Sequence, residues 1–157
     1  MFKSNVETFT NVVLPLYEKL SNKQTLTAVA FGSVSDKYSV PFWSSYTNSK
    51  NFLREKLFNL SSVDDRVSCV FVNVSTVDTG NENKLRPKPL EKENWLSVLD
   101  VVENSMSNII NPVNYLEMDI YKKSSSYSDE FYTDHEFVLS RWRKQLSLIH
   151  ISEPTRR

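Results

Sequence analysis

The chain has 157 residues, of which 39% are hydrophobic and 24% charged, and its formal net charge is zero. A chain of this length is expected to form one domain, because about 100–200 residues usually close a single core. The balanced charge excludes a global attraction to nucleic acid or anionic lipid, so such binding would need a local patch. The single cysteine excludes a disulfide framework and a thiolate metal cluster.

The low glycine content excludes several classes of enzyme. The chain contains two glycines, Gly32 and Gly80, so a P-loop, a dinucleotide-binding fingerprint and a Gly-x-Ser-x-Gly nucleophile turn are excluded. No apolar run reaches the roughly 20 residues that cross a bilayer, and the first residues lack the basic and apolar parts of a signal peptide. These features predict an intracellular protein without a membrane segment.

The first third of the chain predicts a helix followed by strands. Apolar side chains recur at helical spacing over residues 5–21, where Pro15 predicts a kink or a helix in two pieces. Residues 25–31 are β-branched and apolar and predict a strand. The aromatic segment 38–46 predicts a strand at an edge or a bulge because it contains a proline. Residues 47–64 fit either a short helix or a strand.

The middle of the chain contains the clearest strand and the clearest helix. Residues 66–77 are dense in β-branched side chains and predict a central strand. Residues 78–90 are polar, contain two prolines and predict a loop. Residues 95–109 predict a helix that packs across one face of the sheet. The predicted apolar stripe of this helix consists of Trp95, Val98, Leu99, Val102, Met106 and Ile109.

The last third of the chain predicts a pair of strands. Residues 115–121 alternate, with Glu117 and Asp119 on the face opposite to the apolar side chains. Residues 131–143 also alternate, although 133–136 resemble a helix capping box, and a strand is favoured after a Ser-rich hairpin loop. The predicted fold is therefore α+β, with a mainly antiparallel sheet, an N-terminal helix and a second helix packed on one face.

Residues 146–157 are expected to be foreign to the protein. The segment 146–156 resembles the translated read of a transposase-type sequencing-library adapter, a string found in proteins predicted from environmental DNA. We therefore expect residues 1–145 to form a single α+β domain and residues 146–157 to be a non-native tail.

Few residues are candidates for chemistry. Glu117 and Asp119, with Asp78 or Asp64 nearby, suit a divalent metal for phosphodiester cleavage, but a solvated strand face explains the same alternation, and Lys122 lies on the other face. The solvated face is the favoured interpretation and a metal-dependent nuclease the alternative. We predict no catalytic residue, metal or cofactor.

Other titratable side chains have ordinary explanations. Cys69 lies within the predicted central strand and is expected to be a buried, inert thiol. His135 is expected to be a surface or rim histidine without a catalytic role, because its acidic neighbours would lie on the opposite strand face and could not orient it as a general base.

Two aromatic groups are candidates for an interface. Residues 38–46 suit either the monomer core or a contact between subunits. Residues 141–144 suit an interface rim, with nucleic-acid contact as the less favoured alternative. The interface candidates, including two basic residues of the polar loop, are Tyr38, Phe42, Trp43, Tyr46, Arg86, Lys88, Arg141, Trp142 and Arg143.

The order of elements resembles the tail-terminator or tail-completion proteins of long-tailed bacteriophages. The resemblance depends on the helix through Leu20, the strands from residue 26 to 77, the helix 95–109 and the terminal pair at 116–120 and 133–142. It implies a non-enzymatic virion assembly protein that forms a ring of identical subunits, closes the tail tube and binds other tail or neck proteins. Its location would be the virion, or the host cytoplasm during assembly. An unspecialised protein-interaction domain is a further alternative.

Overall fold

The computed structural model describes residues 6–38, 40, 43–85, 92–122 and 133–152, without the side chains of Asn81, Leu85, Trp142 and residues 145–152. Its sheet has three strands, β1 (Leu26–Ser33), β2 (Val67–Val74) and β3 (Tyr115–Ile120), in the order β1-β2-β3. Both strand pairs are parallel, with Ala28 beside Cys69 and Cys69 beside Tyr115. The predicted central strand is confirmed, since β2 is paired on both sides.

The predicted mainly antiparallel sheet is wrong. Parallel neighbours need long crossover connections, and helices α2 (Ser44–Val63) and α4 (Val98–Ile110) lie within them. A parallel strand can show the same side-chain alternation as an antiparallel one, so the pattern did not reveal the direction of the strands.

Two segments that were predicted as strands are helical or lead into a helix. Residues 38–46 do not form a strand among the described positions, and α2 begins within them at Ser44. Residues 135–143 belong to α5 (His135–Ser152), whose first turn is capped where Asp134 Oδ1 accepts from Phe137 N over 2.9 Å. This cap satisfies an amide that a helix start leaves free, and the alternation did not reveal it. Of the hairpin loop predicted at 122–130, residues 123–130 lie outside the described residues.

The N-terminal helix has the predicted irregularity. A π-helical turn (Phe9–Val13) leads directly into α1 (Leu14–Glu18), whose second residue is Pro15. Proline lacks an amide donor and crowds the preceding turn, which disturbs regular helical bonding. The remaining elements are α3 (Gly80–Leu85) and two 3₁₀ turns, Val34–Lys37 and Lys92–Asn94.

Helices pack on both faces of the sheet. On one face, α2 and the N-terminal helix cover a cluster of buried apolar residues: Phe9, Ala28, Ala30, Leu53, Leu57, Leu60, Val67, Cys69 and Phe71. On the opposite face, α4 and Leu96 cover Val70 and Val72 of β2 and Ile120 of β3. The buried side chains of β2 thus alternate between the two cores.

The two crossovers have opposite hands. The chain moves from β1 to β2 over the α2 face and from β2 to β3 over the α4 face. Since both steps run in one direction across the sheet, one of these connections is the uncommon left-handed crossover. As a result α4 lies over β2 and β3, and β1 is left open on that face, where Val29 and Phe31 are 37% and 47% exposed.

The packing of α4 differs from the prediction. This helix packs on one face of the sheet as expected, but it buries Val101 and Ser105. Four of the predicted core residues, Val98, Leu99, Val102 and Met106, are exposed instead. Among the described residues, no helix is both long enough and apolar enough to cross a membrane.

Candidate functional site

The predicted aromatic interface is divided between different environments. Tyr38 is half-buried against a small cluster of Val34, Val40 and Val138. Trp43 is 39% exposed and makes an edge-to-face contact with Tyr46, with ring centroids 5.9 Å apart. Tyr46 lies in the first turn of α2, half-buried, and burial raises the pKa of its hydroxyl. Phe42 lies outside the described residues.

The basic candidates do not form the expected strand-end cluster. Arg141, Trp142 and Arg143 lie on α5, where successive residues point about 100° apart. The guanidinium of Arg141 lies 5.6 Å from the centroid of the Phe137 ring, and Arg143 is exposed. Arg86 and Lys88 lie outside the described residues.

An exposed apolar flank on α4 is the most conspicuous surface of the described chain. Its five residues recur at helical spacing, and their exposed fractions run from 40% for Val102 to 67% for Ile110. The flank consists of Val98, Leu99, Val102, Met106 and Ile110. Isolated apolar side chains are common on protein surfaces, but a contiguous apolar patch indicates an interaction site.

The direction of this flank follows from the contacts on the other side of α4. Asp100 and Asn104 line a shallow cleft with Met118 of β3, and Asn108 Nδ2 lies 3.8 Å from the sulfur of Met118. These polar residues therefore face β3. Positions about half a turn away on the helix face the opposite way, so the apolar flank points toward β1.

The open face of β1 lies in that direction. Val29 and Phe31 pair in register with Val70 and Val72, which belong to the core beneath α4. The apolar surface therefore continues from the core outward onto exposed β1. We call the combination of the α4 flank with Val29 and Phe31 the apolar step, with α4 as its wall and β1 as its floor.

A polar cluster occupies the opposite face, at the carboxyl ends of the strands. Its centre is Asn73, which is fully buried in β2. Asn73 Nδ2 donates to Glu117 Oε1 over 2.7 Å and to Asp119 Oδ1 over 2.9 Å. The acidic pair therefore does not form a freely solvated strand face, and the favoured interpretation of Glu117 and Asp119 is wrong in this respect.

Two cations complete this cluster. Arg54 of α2 donates from Nε to Glu117 Oε1 over 3.0 Å and from a terminal nitrogen to Asn73 Oδ1 over 3.1 Å. Lys37 donates to Asp119 Oδ2 over 2.6 Å. The hydrogen bonds from Lys37 and Asn73 lower the pKa of Asp119, against the effect of its partial burial. Each acidic side chain of the pair is thus held by an amide and a cation.

Asp36 is the most deeply buried carboxylate at this edge. Its Oδ2 accepts from the backbone amide of Ser33 over 2.8 Å as part of a capping box, and a nitrogen of Arg54 lies 3.8 Å away. Its Oδ1 is buried without a hydrogen-bond partner among the described residues. Burial raises the pKa of Asp36 to about 6, although Ser33 and Arg54 act in the opposite direction.

Gly32 provides the space for this cluster. A Cβ atom at this position would lie 2.3 Å from Asn73 Oδ1 and 2.4 Å from the ring of Phe71. The guanidinium of Arg54 stacks over the same ring, 4.6 Å from its centroid. The absence of a side chain in β1 therefore lets Asn73, Phe71 and Arg54 pack together.

The cluster is suited to holding the sheet together rather than to metal chemistry. Oxygens of Glu117 and Asp119 that would ligate a cation already accept hydrogen bonds from Asn73, Arg54 and Lys37. Within the described ranges, no three Asp, Glu, His or Cys side chains converge as a metal site. Cys69 is buried as predicted, and burial raises the pKa of its thiol to about 11. His135 is exposed, as predicted.

Sequence reasoning did not identify Asp36, Arg54 and Asn73. Two local signals were present: Ser33 and Asp36 have the spacing of a capping box, and Asn73 interrupts the apolar run of residues 69–74. The chain was also compared with models of known families and with curated protein sequences, and neither comparison gives a match.

Proposed function

We propose that this chain is a non-enzymatic assembly protein that binds other protein subunits through the apolar step. The observation that carries the proposal is the exposed flank of α4, in which Leu99 and Ile110 are more than 60% exposed beside the open floor of β1. Covering these side chains would remove apolar surface from water, which is the main driving force of protein association.

The apolar step replaces the interface that the sequence predicted. Residues 38–46 lie around the start of α2, and the described part of this segment includes half-buried side chains, such as Tyr38 and Tyr46. The apolar centre that an interface needs is better supplied by α4. The chemistry of the interaction stays as predicted, namely apolar contact with a polar rim.

The resemblance to phage tail terminators now has weaker support. It relied in part on a terminal pair of strands, but α5 occupies residues 135–152. A ring of identical subunits that closes a tail tube, together with other tail or neck proteins, remains a prediction about the partners. The proposed assembly function depends on the surface of α4 and does not require that resemblance.

The nuclease alternative is less well supported than assembly. Lys37 does approach Asp119, so a basic residue accompanies the acidic pair. However, this lysine neutralises the carboxylate on which a metal would depend, and Arg54 does the same for Glu117. A metal would have to displace both cations before it gained the ligands that it prefers.

Sedimentation velocity at increasing protein concentration tests the assembly function. We expect the wild-type chain to associate and the variants Leu99→Asp and Val102→Asp to remain monomeric with unchanged circular dichroism. Val63→Asp is the matched control, because Val63 is an apolar residue that is 78% exposed at the end of α2. A monomeric wild-type protein, or equal behaviour of all three variants, would contradict the proposal.

A further inference from the structure

We infer that the outer edge of β3 accepts an extended segment of another protein as a fourth strand of the sheet. Among the described residues, β3 has a neighbouring strand on one side only, and so does β1 at the other end of the order β1-β2-β3. The two edges differ, however, in what their outward backbone groups bind. The β3 edge is separate from the apolar step, so this contact goes beyond the proposed function.

The hydrogen bonds between β2 and β3 show which backbone groups of β3 point outward. Asn114 O accepts from Cys69 N over 2.9 Å, and Ile120 O accepts from Ser75 N over 3.0 Å. In a parallel ladder, successive residues direct their amide and carbonyl groups alternately to the two sides of the strand. The residues of β3 whose groups point away from β2 are Tyr115, Glu117 and Asp119. No described residue forms a hydrogen bond with these outward backbone groups.

The opposite edge of the sheet is blocked by side chains. Lys50 donates to the outward carbonyl oxygen of Phe31 over 2.7 Å. The outward amide of Ser33 donates to Asp36 Oδ2 over 2.8 Å. Both groups point away from β2, because Leu26 N points toward it and the direction alternates along the strand. Proteins protect edge strands in such ways because free edge groups pair with other chains. In the part of the chain that the structure describes, the β3 edge lacks this protection.

The cleft beside β3 follows this edge and has a volume of about 350 Å³. Its lining includes the consecutive residues 118–122, at the end of the strand and just beyond it. Consecutive residues of a strand point to opposite faces of the sheet, so a cleft that all of them line lies along the edge and not over one face. On the α4 side the cleft is bounded by Asp100 and Asn104. Its apolar lining includes Leu96, Met118 and Ile120.

The two faces of the β3 edge define the chemistry of the added strand. On the α4 face, the apolar lining of the cleft suits apolar side chains. On the opposite face, the added strand lies beside Glu117 and Asp119, whose side chains are 27% and 32% exposed. Carboxylates only accept hydrogen bonds, so the side chains beside them have to donate, as those of threonine and lysine do. The segment therefore alternates apolar and donor side chains.

The same carboxylates disfavour a second copy of this chain at the β3 edge. In a two-fold antiparallel pair of β3 strands, each face of one copy continues as the same face of the other. Glu117 and Asp119 of the two copies would then be direct neighbours, and like charges opposite one another destabilise a strand pair. The proposed occupant is therefore a segment of a different protein.

Amide hydrogen exchange measured by NMR tests the β3 edge directly. The ligand used is an acetylated and amidated peptide that alternates threonine and valine and has a lysine at each end. We expect this peptide to slow the exchange of the Glu117 and Asp119 amides by about tenfold or more, because both amides gain a partner on binding. Leu116 and Met118 are internal controls, since their amides already point toward β2.

N-methylated forms of the peptide provide the matched control. Methyl groups on all threonine amides block one edge of the extended peptide, and methyl groups on all valine amides block the other edge. Fluorescence anisotropy is expected to show that one of these peptides binds like the parent peptide and that the other does not bind. Equal binding of the two would contradict strand addition.

A pair of variants at one position tests the protein side of the contact. Asp119→Pro removes an outward amide of β3, whereas Asp119→Ala removes the same side chain and keeps that amide. We expect the proline variant to bind the parent peptide about tenfold more weakly than the alanine variant. Circular dichroism of both variants confirms that they are folded. Equal affinity of the two would contradict pairing at this edge.

Three other outcomes would overturn the inference. Slow exchange of the Glu117 and Asp119 amides in the free monomer would show that the chain itself already covers the edge. Protection that rises with protein concentration, without peptide, would replace the foreign segment by a second copy. No binding of the parent peptide up to about 1 mM would exclude strand addition. Leu99→Asp is expected to bind the peptide like the wild type, so the assembly function is tested separately.

Discussion

Asn73 on β2 donates a hydrogen bond to Glu117 on β3 over 2.7 Å. Asn73 is the one fully buried amide side chain among the described residues, and it stands in a strand whose other inward positions are apolar. Its bonds to Glu117, Asp119 and Arg54 connect the central strand to its neighbour and to α2. The polar cluster therefore fixes how the strands and α2 are placed relative to one another.

Replacing Asn73 is expected to destabilise the fold. Asn73→Ala removes a donor from two carboxylates and an acceptor from Arg54, and hydrogen bonds to charged groups contribute about 1.5–3 kcal/mol each. Partial access of water to Glu117 and Asp119 reduces the loss, so we expect the free energy of unfolding to fall by about 2–3 kcal/mol. Urea denaturation measures it. Asn104→Ala, at an exposed position of α4, should change it by less than about 0.5 kcal/mol.

Asp36 is expected to make stability depend on pH. Burial raises the pKa of this carboxyl from 3.8 to about 6 in the folded chain, so between these values the native state binds more protons than the unfolded state. The contribution of Asp36 to the free energy of unfolding therefore falls as pH rises through this window and is constant above it. A shift of about two pKa units corresponds to roughly 3 kcal/mol.

Asp36→Asn isolates this effect, because asparagine keeps an oxygen that can accept from Ser33 and does not titrate. Relative to wild type, the variant should gain up to about 3 kcal/mol in the free energy of unfolding between pH 4 and pH 7. The other carboxylates are common to both proteins and cancel in the difference. Urea denaturation at both pH values gives the measurement. A constant difference would contradict the raised pKa of Asp36.

A side chain at position 32, where the chain has Gly32, is expected to destabilise the fold. The added Cβ of Gly32→Ala would overlap Asn73 Oδ1 and the Phe71 ring, both of which are buried. Overpacking of this kind costs about 1–3 kcal/mol. Gly80→Ala is the matched control, because nothing lies within 4 Å of its added Cβ and alanine favours the helix that Gly80 begins. Thermal unfolding of both variants should show a loss for the first alone.

Residues 146–157 are expected to contribute little to stability. Among the side chains of α5 that the structure describes, Val138 is the buried one, and it packs against Val34 and Val40 near the beginning of the helix. A variant that ends at Gln145 should lose less than about 1 kcal/mol, whereas Val138→Ala should lose about 1–3 kcal/mol by leaving a cavity. Urea denaturation compares the two. A larger loss on truncation would show that the segment supports the fold.

The elements that could be predicted from the sequence are those whose own side-chain pattern specifies a strand or a helix. The partly continuous apolar run of β2 indicated a central strand, and the alternation of β3 placed Leu116, Met118 and Ile120 on one face, where they pack beneath α4. Pro15 indicated the irregular N-terminal helix. In each case the information is local, because it resides in one segment and in the geometry of its backbone.

Most of the features that were missed depend on contacts between segments, and the start of α5 is the exception. The parallel direction of the strands is absent from their alternation, and in α5 a strand pattern competed with a cap that Asp134 supplies. The apolar residues of α4 occupy two adjacent sides of the helix. Only the contacts with the sheet determine that Val101 faces the core while Val102 does not. The polar cluster joins residues from β1 to β3 and α2, which no local pattern brings together.

Cys69 gives the chain an intrinsic reporter of its own unfolding. The chain has a single cysteine, fully buried in the middle strand, where its thiol donates to Leu57 O over 3.3 Å. A labelling reagent needs an accessible thiolate, so fraying at the ends of helices would leave this sulfur unmodified. The rate of labelling would therefore follow the opening of the whole sheet, and it would do so equally for free subunits and for subunits within an assembly.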